Sequence, residues 1–280
     1  MTEQLPAEPP PSPESFGELY NLLAESKIYQ RITAEVFGEG YGGQLSIAGP
    51  ADVRLLATRA ALAPGQWVAD FCSGMGGPTL LIAAEYGCNM LAVDWSLDAL
   101  EICRRTAQAT ELGHRLRYVA GDISRPLFAA NSLHAVVSVD GFYFGVDLPW
   151  LYREVFRILR PGGRFAFYFN VPTQEVVDAS SPERRAHRES HRIDHLSELA
   201  AAGFINARRE ERTFAEQQIL ARMAEVYETH FEALASEVGH DLATELRDEI
   251  VQTLHMAEHG YWPRYLFSAR KPGDRPARRR

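Results

Sequence analysis

The stretch VADFCSGMGGPTLLIAAEYGCNMLAVDWS, residues 68–96, places a glycine-containing loop between two apolar segments. WVADFC predicts a buried strand, GPTLLIAAEYG a helix with Pro78 in its first turn, and NMLAVDW a second strand. A strand, a helix and a further strand in this order indicate a parallel βαβ unit, with the loop at the carboxyl end of the first strand. A ligand can approach the backbone of such a loop closely, because glycine has no side chain.

The same alternation of strand and helix continues to residue 171. Further strands are predicted at LRYVAGD, LHAVVSVD and RFAFYFNV, and further helices at LDALEICRRTAQATELG and DLPWLYREVFRILRPGG. The last helix is expected to end at Pro161, Gly162 and Gly163. Strands with continuous apolar content imply a parallel sheet covered on both faces. We therefore expect an α/β protein with a Rossmann-like, doubly wound, mainly parallel seven-stranded sheet.

Segments on either side of this alternation complete the expected organisation. Residues 1–14 are rich in proline and are predicted to be a disordered tail, followed by N-terminal helices. Two amphipathic helices are predicted within residues 214–259, as a helical insertion before the last strand, RYLFSARKP. The insertion either forms a lid over the site or packs on the fold without touching a ligand. We expect one domain over 15–272 and a basic disordered tail over 273–280.

Composition narrows the classes of partner. The chain has 280 residues and a net charge of −8, which argues against nucleic acid as its main partner. No apolar run reaches the roughly 18 residues of a membrane span, and the N-terminus lacks the pattern of a signal peptide. Three cysteines without a CxxC pair suit a reducing compartment and argue against a cysteine zinc site. These features predict a soluble cytoplasmic protein with no membrane partner and leave the oligomeric state open.

Acidic residues at three predicted strand ends indicate the kind of ligand. Asp70 precedes the glycines, where it would repel a phosphate but attract an ammonium group. Asp94 ends the second strand, where a carboxylate can accept hydrogen bonds from both hydroxyls of a ribose. Asp122 and Ile123 follow the third strand, where an acid can bind an adenine amino group while an aliphatic side chain packs on the ring. The set describes a nucleoside with a positively charged tail, and S-adenosylmethionine (SAM) fits that description.

The loop also lacks the patterns of two other nucleotide sites. A dinucleotide loop needs GxGxxG, but Thr79 stands at the third glycine position, and the phosphate-loop pattern GxxxxGK[ST] is absent. Both findings favour a ligand that does not place a phosphate on this loop.

Four motifs together resemble those of the class I SAM-dependent methyltransferases. That family carries a motif near D-x-G-x-G-x-G, an acid ending the second strand, an acid after the third strand, and often LRPGG before the fifth. This chain has DFCSGMGG, AVDWS, AGDIS and REVFRILRPGG in the same order and spacing. The resemblance covers roughly residues 50–170, and the C-terminal helices and strand resemble the small-molecule branch more loosely. Cys72 stands where the family usually has its first glycine, so a slightly tighter loop is expected.

The resemblance implies SAM as the cofactor and a role for each matching residue. It places Asp70 near the methionine ammonium, Asp94 on the ribose and Trp95 on the adenine, with Asp122 and Ile123 flanking the base. Ser73, Gly74 and Gly76 would line the methionine portion with backbone groups. Asp140, at the end of the fourth strand, would face the cofactor or the acceptor, or would be a turn residue before Gly141.

A small-molecule methyl acceptor is expected to lie against aromatic side chains, which suit flat apolar groups and amines. The candidates are Tyr20, Tyr29 and Phe37 from the N-terminal helices, and Phe142, Tyr143 and Phe144 of the GFYFG segment. Each of them could instead be an ordinary core residue. A hydroxyl or carbon nucleophile would need a general base, for which Asp140 and His191 are the candidates, whereas a neutral amine would need none.

Three histidines in HRESHRIDH stand four residues apart. His187, His191 and His195 would form one stripe on a helix, and two ligands at that spacing can bind a metal. A solvated helical face and a catalytic base at His191 are the other interpretations. We expect the solvated face and no metal site.

The expected function is methyl transfer from SAM to a nitrogen, oxygen or carbon atom of a small molecule by in-line displacement. The enzyme's main task is then to align the reactants and exclude water. Two rival hypotheses remain open: a protein that binds SAM without catalysis and interacts through its extra helices, and a nicotinamide-dependent enzyme on a similar fold.

Overall fold

Seven strands form a single sheet in the computed structural model, which describes residues 13–39, 41, 45–143 and 145–273. The strands are β1 Trp67–Phe71, β2 Asn89–Asp94, β3 Leu116–Ala120, β4 Leu133–Val139, β5 Leu159–Asn170, β6 Ile205–Glu211 and β7 Arg264–Arg270. Their order is β3-β2-β1-β4-β5-β7-β6, with β1 to β5 parallel and β7 antiparallel to both of its neighbours. The predicted fold class is confirmed, whereas the predicted disorder of the two tails concerns segments that lie largely outside the described residues.

Helices cover both faces of the sheet. They are α1 Pro13–Glu25, α2 Lys27–Phe37, α3 Pro50–Arg59, α4 Gly77–Tyr86, α5 Leu97–Ala109, α6 Leu148–Ile158, α7 Gln174–Asp178, α8 Pro182–Ser190, α9 His195–Ala201, α10 Thr213–Val238 and α11 His240–Glu258. The apolar sides of α3, α4 and α5 share one core with the sheet, and those of α6 and α9 share the other. The strand order reverses between β1 and β4, so the loops after these strands flank the crevice where ligands bind in such sheets.

The LRPGG segment differs from its predicted structure. Helix α6 ends at Ile158, and β5 begins at Leu159, so that Pro161 and Gly162 lie within a strand and do not terminate the helix. Gly162 adopts a φ of +83°, and its N–H donates to the carbonyl oxygens of Lys271 and Pro272 beyond β7. The segment therefore bends the start of β5 toward the C-terminal end of β7.

The inserted helices have an apolar core of their own. Helices α10 and α11 pack against each other and against α1 and α2, and we call these four helices the helical cap. Buried members of this core include Leu23, Tyr29, Ile32, Leu220, Val226, Tyr227, Phe231, Leu234, Leu246 and Ile250. Helix α1 also rests on α5, where Gly17 lies against the side chain of Asp98. No helix in the described part of the chain is both long and apolar enough to cross a membrane.

Candidate active site

A cleft opens at the carboxyl ends of β1 to β4. With its mouth, which is open to solvent, included, the cleft measures about 960 Å³. Its floor consists of residues that follow the four strands, and its cover comes from α1 and from residues 45 and 46. The lining residues are Phe16, Tyr20, Leu45, Ser46, Asp70, Cys72, Ser73, Gly74, Pro78, Asp94, Trp95, Gly121, Asp122, Ile123, Val139, Asp140, Gly141 and Val146.

The loop after β1 is shaped by close contacts on both sides. Gly76 has a φ of +91°, and a Cβ atom there would lie 2.3 Å from the Cys103 Sγ atom of α5. Gly76 is absent from the described cleft lining, so its lack of a side chain lets the loop and α5 pack together. Cys72 lines the cleft with a φ of +60°, and its side chain fills the space that a Cβ atom on Gly141 would need.

Asp94 is held by two backbone hydrogen bonds. The N–H of Gly74 donates to its Oδ2 atom at 2.8 Å, and the N–H of Ser96 donates to its Oδ1 atom at 3.0 Å. Burial raises the pKa of the Asp94 carboxyl. Each carboxylate oxygen has a second lone pair, so both can also accept hydrogen bonds from a ligand. Trp95 lines the cleft beside Asp94, with its ring 6.1 Å from that of Phe16.

Asp70 lies deeper, at 1% exposure, and accepts a 2.5 Å hydrogen bond from the Thr79 hydroxyl. Burial raises the pKa of Asp70 to about 7. A neighbouring cation favours the ionised form of a carboxyl group, so a ligand ammonium group would shift this equilibrium.

Asp122 and Ile123 occupy the end of the cleft that follows β3. Asp122 is exposed, and its Oδ1 atom accepts a hydrogen bond of 2.8 Å from the N–H of Ser124. Hydrogen bonding to Ser124 lowers the pKa of Asp122, which keeps a charged acceptor at this end. Ile123 is buried and presents an apolar surface beside it.

Three buried polar atoms of the lining have no hydrogen-bond partner among the described residues. They are Ser46 Oγ, Ser73 Oγ and Asp140 Oδ1. Most buried polar side-chain atoms in proteins are hydrogen-bonded, so unpartnered atoms that meet in one cleft indicate a polar ligand there. The set fits SAM, whose amino-acid portion and ribose offer several donors and acceptors.

Asp140 belongs to a buried ion network that the sequence analysis did not identify. Asp140 has a positive φ of +54°. Its Oδ2 atom accepts a hydrogen bond of 2.8 Å from the Arg264 guanidinium. Arg264 also donates to Glu216 Oε1 at 3.2 Å, and the Asn170 amide donates to the same oxygen at 2.9 Å. The members come from β5, α10, β7 and the residue after β4, so no short motif joins them. The sequence held one signal of this network: Arg264 is a charged residue in the otherwise apolar segment RYLF.

The structure separates the predicted acceptor-binding aromatics. Tyr20 lines the cleft together with Phe16. Tyr29 is buried inside the helical cap, and Phe142 lies in the core under α6. Tyr143 stacks on Phe169 with 4.7 Å between ring centroids and donates its hydroxyl to Asn170 Oδ1. The described cleft lining contains none of these last three, nor Phe37, and Phe144 lies outside the described residues.

The prediction of a solvated histidine face is wrong. Helix α8 ends at Ser190, and both His191 and His195 are buried at 3% and 4% exposure, whereas His187 is exposed. The turn between α8 and α9 rotates the two rings into the core, where His195 Nδ1 lies 2.6 Å from the Tyr152 hydroxyl. Burial lowers the pKa of His191 to about 3, and its ring is absent from the described cleft lining. Within the described ranges, no group of three His, Cys, Asp or Glu side chains could hold a metal ion.

A family model described as a methyltransferase domain matches residues 68–163. The matched segment runs from β1 into β5 and contains Asp70, Asp94, Asp122 and Asp140. This segment is similar to a methyltransferase domain. The resemblance to class I SAM-dependent methyltransferases is confirmed, and SAM as the cofactor is confirmed at the level of this domain family.

Among curated proteins, the chain is similar to the sterol 24-C-methyltransferase of Yarrowia lipolytica. The two are 31% identical over 167 residues, which make up 59% of this chain and 44% of that enzyme. The matched region thus spans less than half the length of this relative.

Among solved structures, the fold is similar to that of phosphoethanolamine N-methyltransferase 2 from Haemonchus contortus, solved with phosphomonomethylethanolamine and S-adenosylhomocysteine. The TM-score is 0.73 at 20% identity, over 92% of this chain and 60% of that one. It is also similar to the [4+2]-cyclase SpnF, with a TM-score of 0.72 at 20% identity over 96% and 100% of the two chains. At this identity the likeness establishes the fold.

Proposed function

We propose that the chain transfers the methyl group of SAM to a nitrogen, oxygen or carbon atom of a small-molecule acceptor. The observation that carries the proposal is the convergence, in one cleft of a methyltransferase domain, of the strand-end carboxylates with the unpartnered Ser73 Oγ and Asp140 Oδ1 atoms. Other Rossmann-like sites hold phosphates on this loop, but here the loop is surrounded by carboxylates.

The cofactor would lie across the carboxyl ends of β1 to β3. We assign the ribose to Asp94, the adenine to Trp95, Asp122 and Ile123, and the methionine portion to Asp70, Ser73 and Gly74. Bound SAM supplies an electrophilic methyl group on a sulfonium. Phe16, Tyr20 and Leu45 cover the cleft and would exclude water from it, and Tyr20 is our remaining aromatic candidate for contact with the acceptor.

Asp140 is the group that we place beside the nucleophile. Its Oδ2 atom is fixed by Arg264, which leaves Oδ1 to accept a hydrogen bond or a proton from a hydroxyl or amine. His191 is unsuited to act as the base, because its buried ring lies away from the cleft lining and a pKa of about 3 makes it a weak proton acceptor.

A protein that binds SAM without transferring its methyl group is the second candidate. It is favoured by one observation: the fold likeness extends over the whole of a protein named as a cyclase. Retained SAM binding without any methylated product would support it.

The direct test is incubation of the full chain with methyl-labelled SAM and a metabolite extract, followed by mass detection of labelled products. We expect the label on a small molecule, with a strong loss in Asp94→Ala and none in the control Glu101→Ala, whose carboxylate pairs with Arg104 on the exposed side of α5. Label on protein or RNA would contradict the proposed acceptor class.

For the compartment, we propose the cytoplasm. All three cysteines are free thiols, as suits a reducing environment. The net charge of −8 supports a small-molecule partner over nucleic acid.

A further inference from the structure

The charge of the cleft restricts what can enter it. Four of its lining residues are aspartates, Asp70, Asp94, Asp122 and Asp140, and the described lining contains no lysine, arginine or histidine. Some residues close to this region in sequence lie outside the described ranges, namely 40, 42–44 and 144. They are three glycines, a glutamine and a phenylalanine. They bring no positive charge to the cleft. The field inside the cleft is therefore set by carboxylates.

Two arginines form ion pairs with lining carboxylates, and neither is available to a ligand anion. The Arg264 side chain is 3% exposed, and its guanidinium is shared between Asp140, Glu216 and Asn170. Two carboxyl groups balance its single positive charge. Its remaining face lies over the Tyr168 ring, 4.8 Å from the centroid.

The second arginine, Arg125, stands outside the cleft. Its side chain is 81% exposed and lies 3.6 Å from Asp122, at the end that we assign to the adenine. The basic C-terminal tail begins at the other end of the sheet, because β7 runs from Arg264 beside Asp140 to Arg270 beside Arg164 at the start of β5. Arg125 therefore pairs with Asp122, whereas the arginine that pairs with Asp140 is the buried Arg264.

An anionic acceptor would bind poorly in such a site. A buried anionic group needs charge-assisted hydrogen bonds, most often from arginine or lysine, to replace its hydration, unless the same molecule carries cations that balance it, as the ammonium and sulfonium groups of SAM balance its carboxylate. Here the group beside the proposed nucleophile position is the Asp140 Oδ1 atom, which repels an anion and accepts a hydrogen bond from a neutral or cationic donor.

We propose that the methyl acceptor of this chain is an uncharged or cationic small molecule without a phosphate or other anionic group. This inference rests on the proposed methyl transfer and adds the charge class of the acceptor to it. This charge class would set the chain apart from the structurally similar phosphoethanolamine N-methyltransferase 2, which was solved with the phosphate-bearing phosphomonomethylethanolamine.

The test divides one protein-free metabolite extract by anion exchange into a bound, anionic pool and an unbound pool of neutral and cationic compounds. Each pool is incubated with the full chain and methyl-labelled SAM, and the labelled products are counted by mass spectrometry. We expect at least tenfold more labelled product in the unbound pool. A labelled product confined to the anionic pool would overturn this inference while leaving methyl transfer intact.

Absence of label from both pools, with SAM binding retained, would overturn the proposed function itself and this inference with it. Treatment of the unfractionated extract with alkaline phosphatase gives a second readout on the same acceptor. Labelling should survive the treatment within about twofold, and its abolition would identify a phosphorylated acceptor and overturn the inference.

Discussion

The sheet with its strand-end loops and the helical cap contribute to the cleft in different ways. The sheet side presents polar groups in sequence order, since β1, β2, β3 and β4 each end close to an aspartate that lines the cleft. The cap packs mainly on itself. Its α1 helix supplies the aromatic cover of the cleft, and Glu216 of α10 acts indirectly by holding Arg264, which pairs with Asp140. The polar lining at the strand ends is thus encoded locally, whereas the surroundings of Asp140 depend on contacts between distant segments.

The largest expected effect comes from disturbing the sheet side alone. Gly76→Ala should lower the free energy of unfolding by about 2–6 kcal/mol, because alanine is strained at positive φ and its Cβ would overpack Cys103. Urea denaturation measures this change. Gly65→Ala is the matched control, since Gly65 has a φ of +79° but no atom within 4 Å of an added Cβ.

The control should lose about 1–3 kcal/mol from backbone strain alone. Equal losses in the two variants would show that the close approach of the loop to α5 contributes nothing to the free energy of unfolding. The conformation of this loop would then depend on backbone dihedral angles alone.

The next effect concerns Asp70, whose pKa of about 7 reflects its burial. A ligand ammonium group favours the ionised carboxylate, so SAM binding should release a proton below pH 7. Affinity should therefore rise with pH between 5 and 7, by up to about tenfold per unit, and level off above pH 7. Calorimetric titration of SAM at several pH values measures this slope, which Asp70→Asn should flatten.

The same raised pKa has the opposite consequence for the ligand-free protein. Because the fold favours the neutral carboxyl, the contribution of Asp70 to stability is fully present below the ordinary aspartate pKa of 3.8 and is lost as the pH rises through about 7. An affinity that is independent of pH over this range in the wild type would remove Asp70 from contact with the ammonium group.

The sequence predicted most of the residues that line the cleft at the strand ends. Alternating strands and helices, with acids at strand ends, led to the sheet and to Asp70, Asp94, Asp122 and Asp140, because the ends of parallel strands meet at one edge. The family resemblance also placed Gly76 in the lining. It instead packs against Cys103, since a motif specifies loop shape without specifying which atoms face the ligand.

The acceptor side could not be predicted to the same depth. Arg264, Glu216 and Asn170 meet only when β7, α10 and β5 assemble, and periodicity carries no information about such pairs. Tyr29 and His191 illustrate the converse error. Each has a side chain suited to a binding or catalytic site, but Tyr29 packs inside the helical cap and His191 packs beside β5.

The smallest expected effect tests whether the cap closes over ligands. Bound SAM and acceptor should slow amide exchange in α10 and α11 by roughly threefold or more, because α1 links their core to the cleft cover. Strands β1 and β4 should change less, since both lie inside the sheet and are paired with strands on both sides. Hydrogen–deuterium exchange read by mass spectrometry compares the two regions. Equal protection of the cap with and without ligands would identify it as packing without a lid role.

The measurement that tests the central claim most directly is calorimetric titration of SAM into the wild type and Asp94→Ala. Asp94 would hold the ribose while its two oxygens also fix Gly74 and Ser96. We predict one site per chain and a loss of about 1.5–3 kcal/mol in the variant, at least tenfold in affinity, with the folded structure retained. Equal affinity in the two proteins, or binding of NAD in place of SAM, would contradict this account.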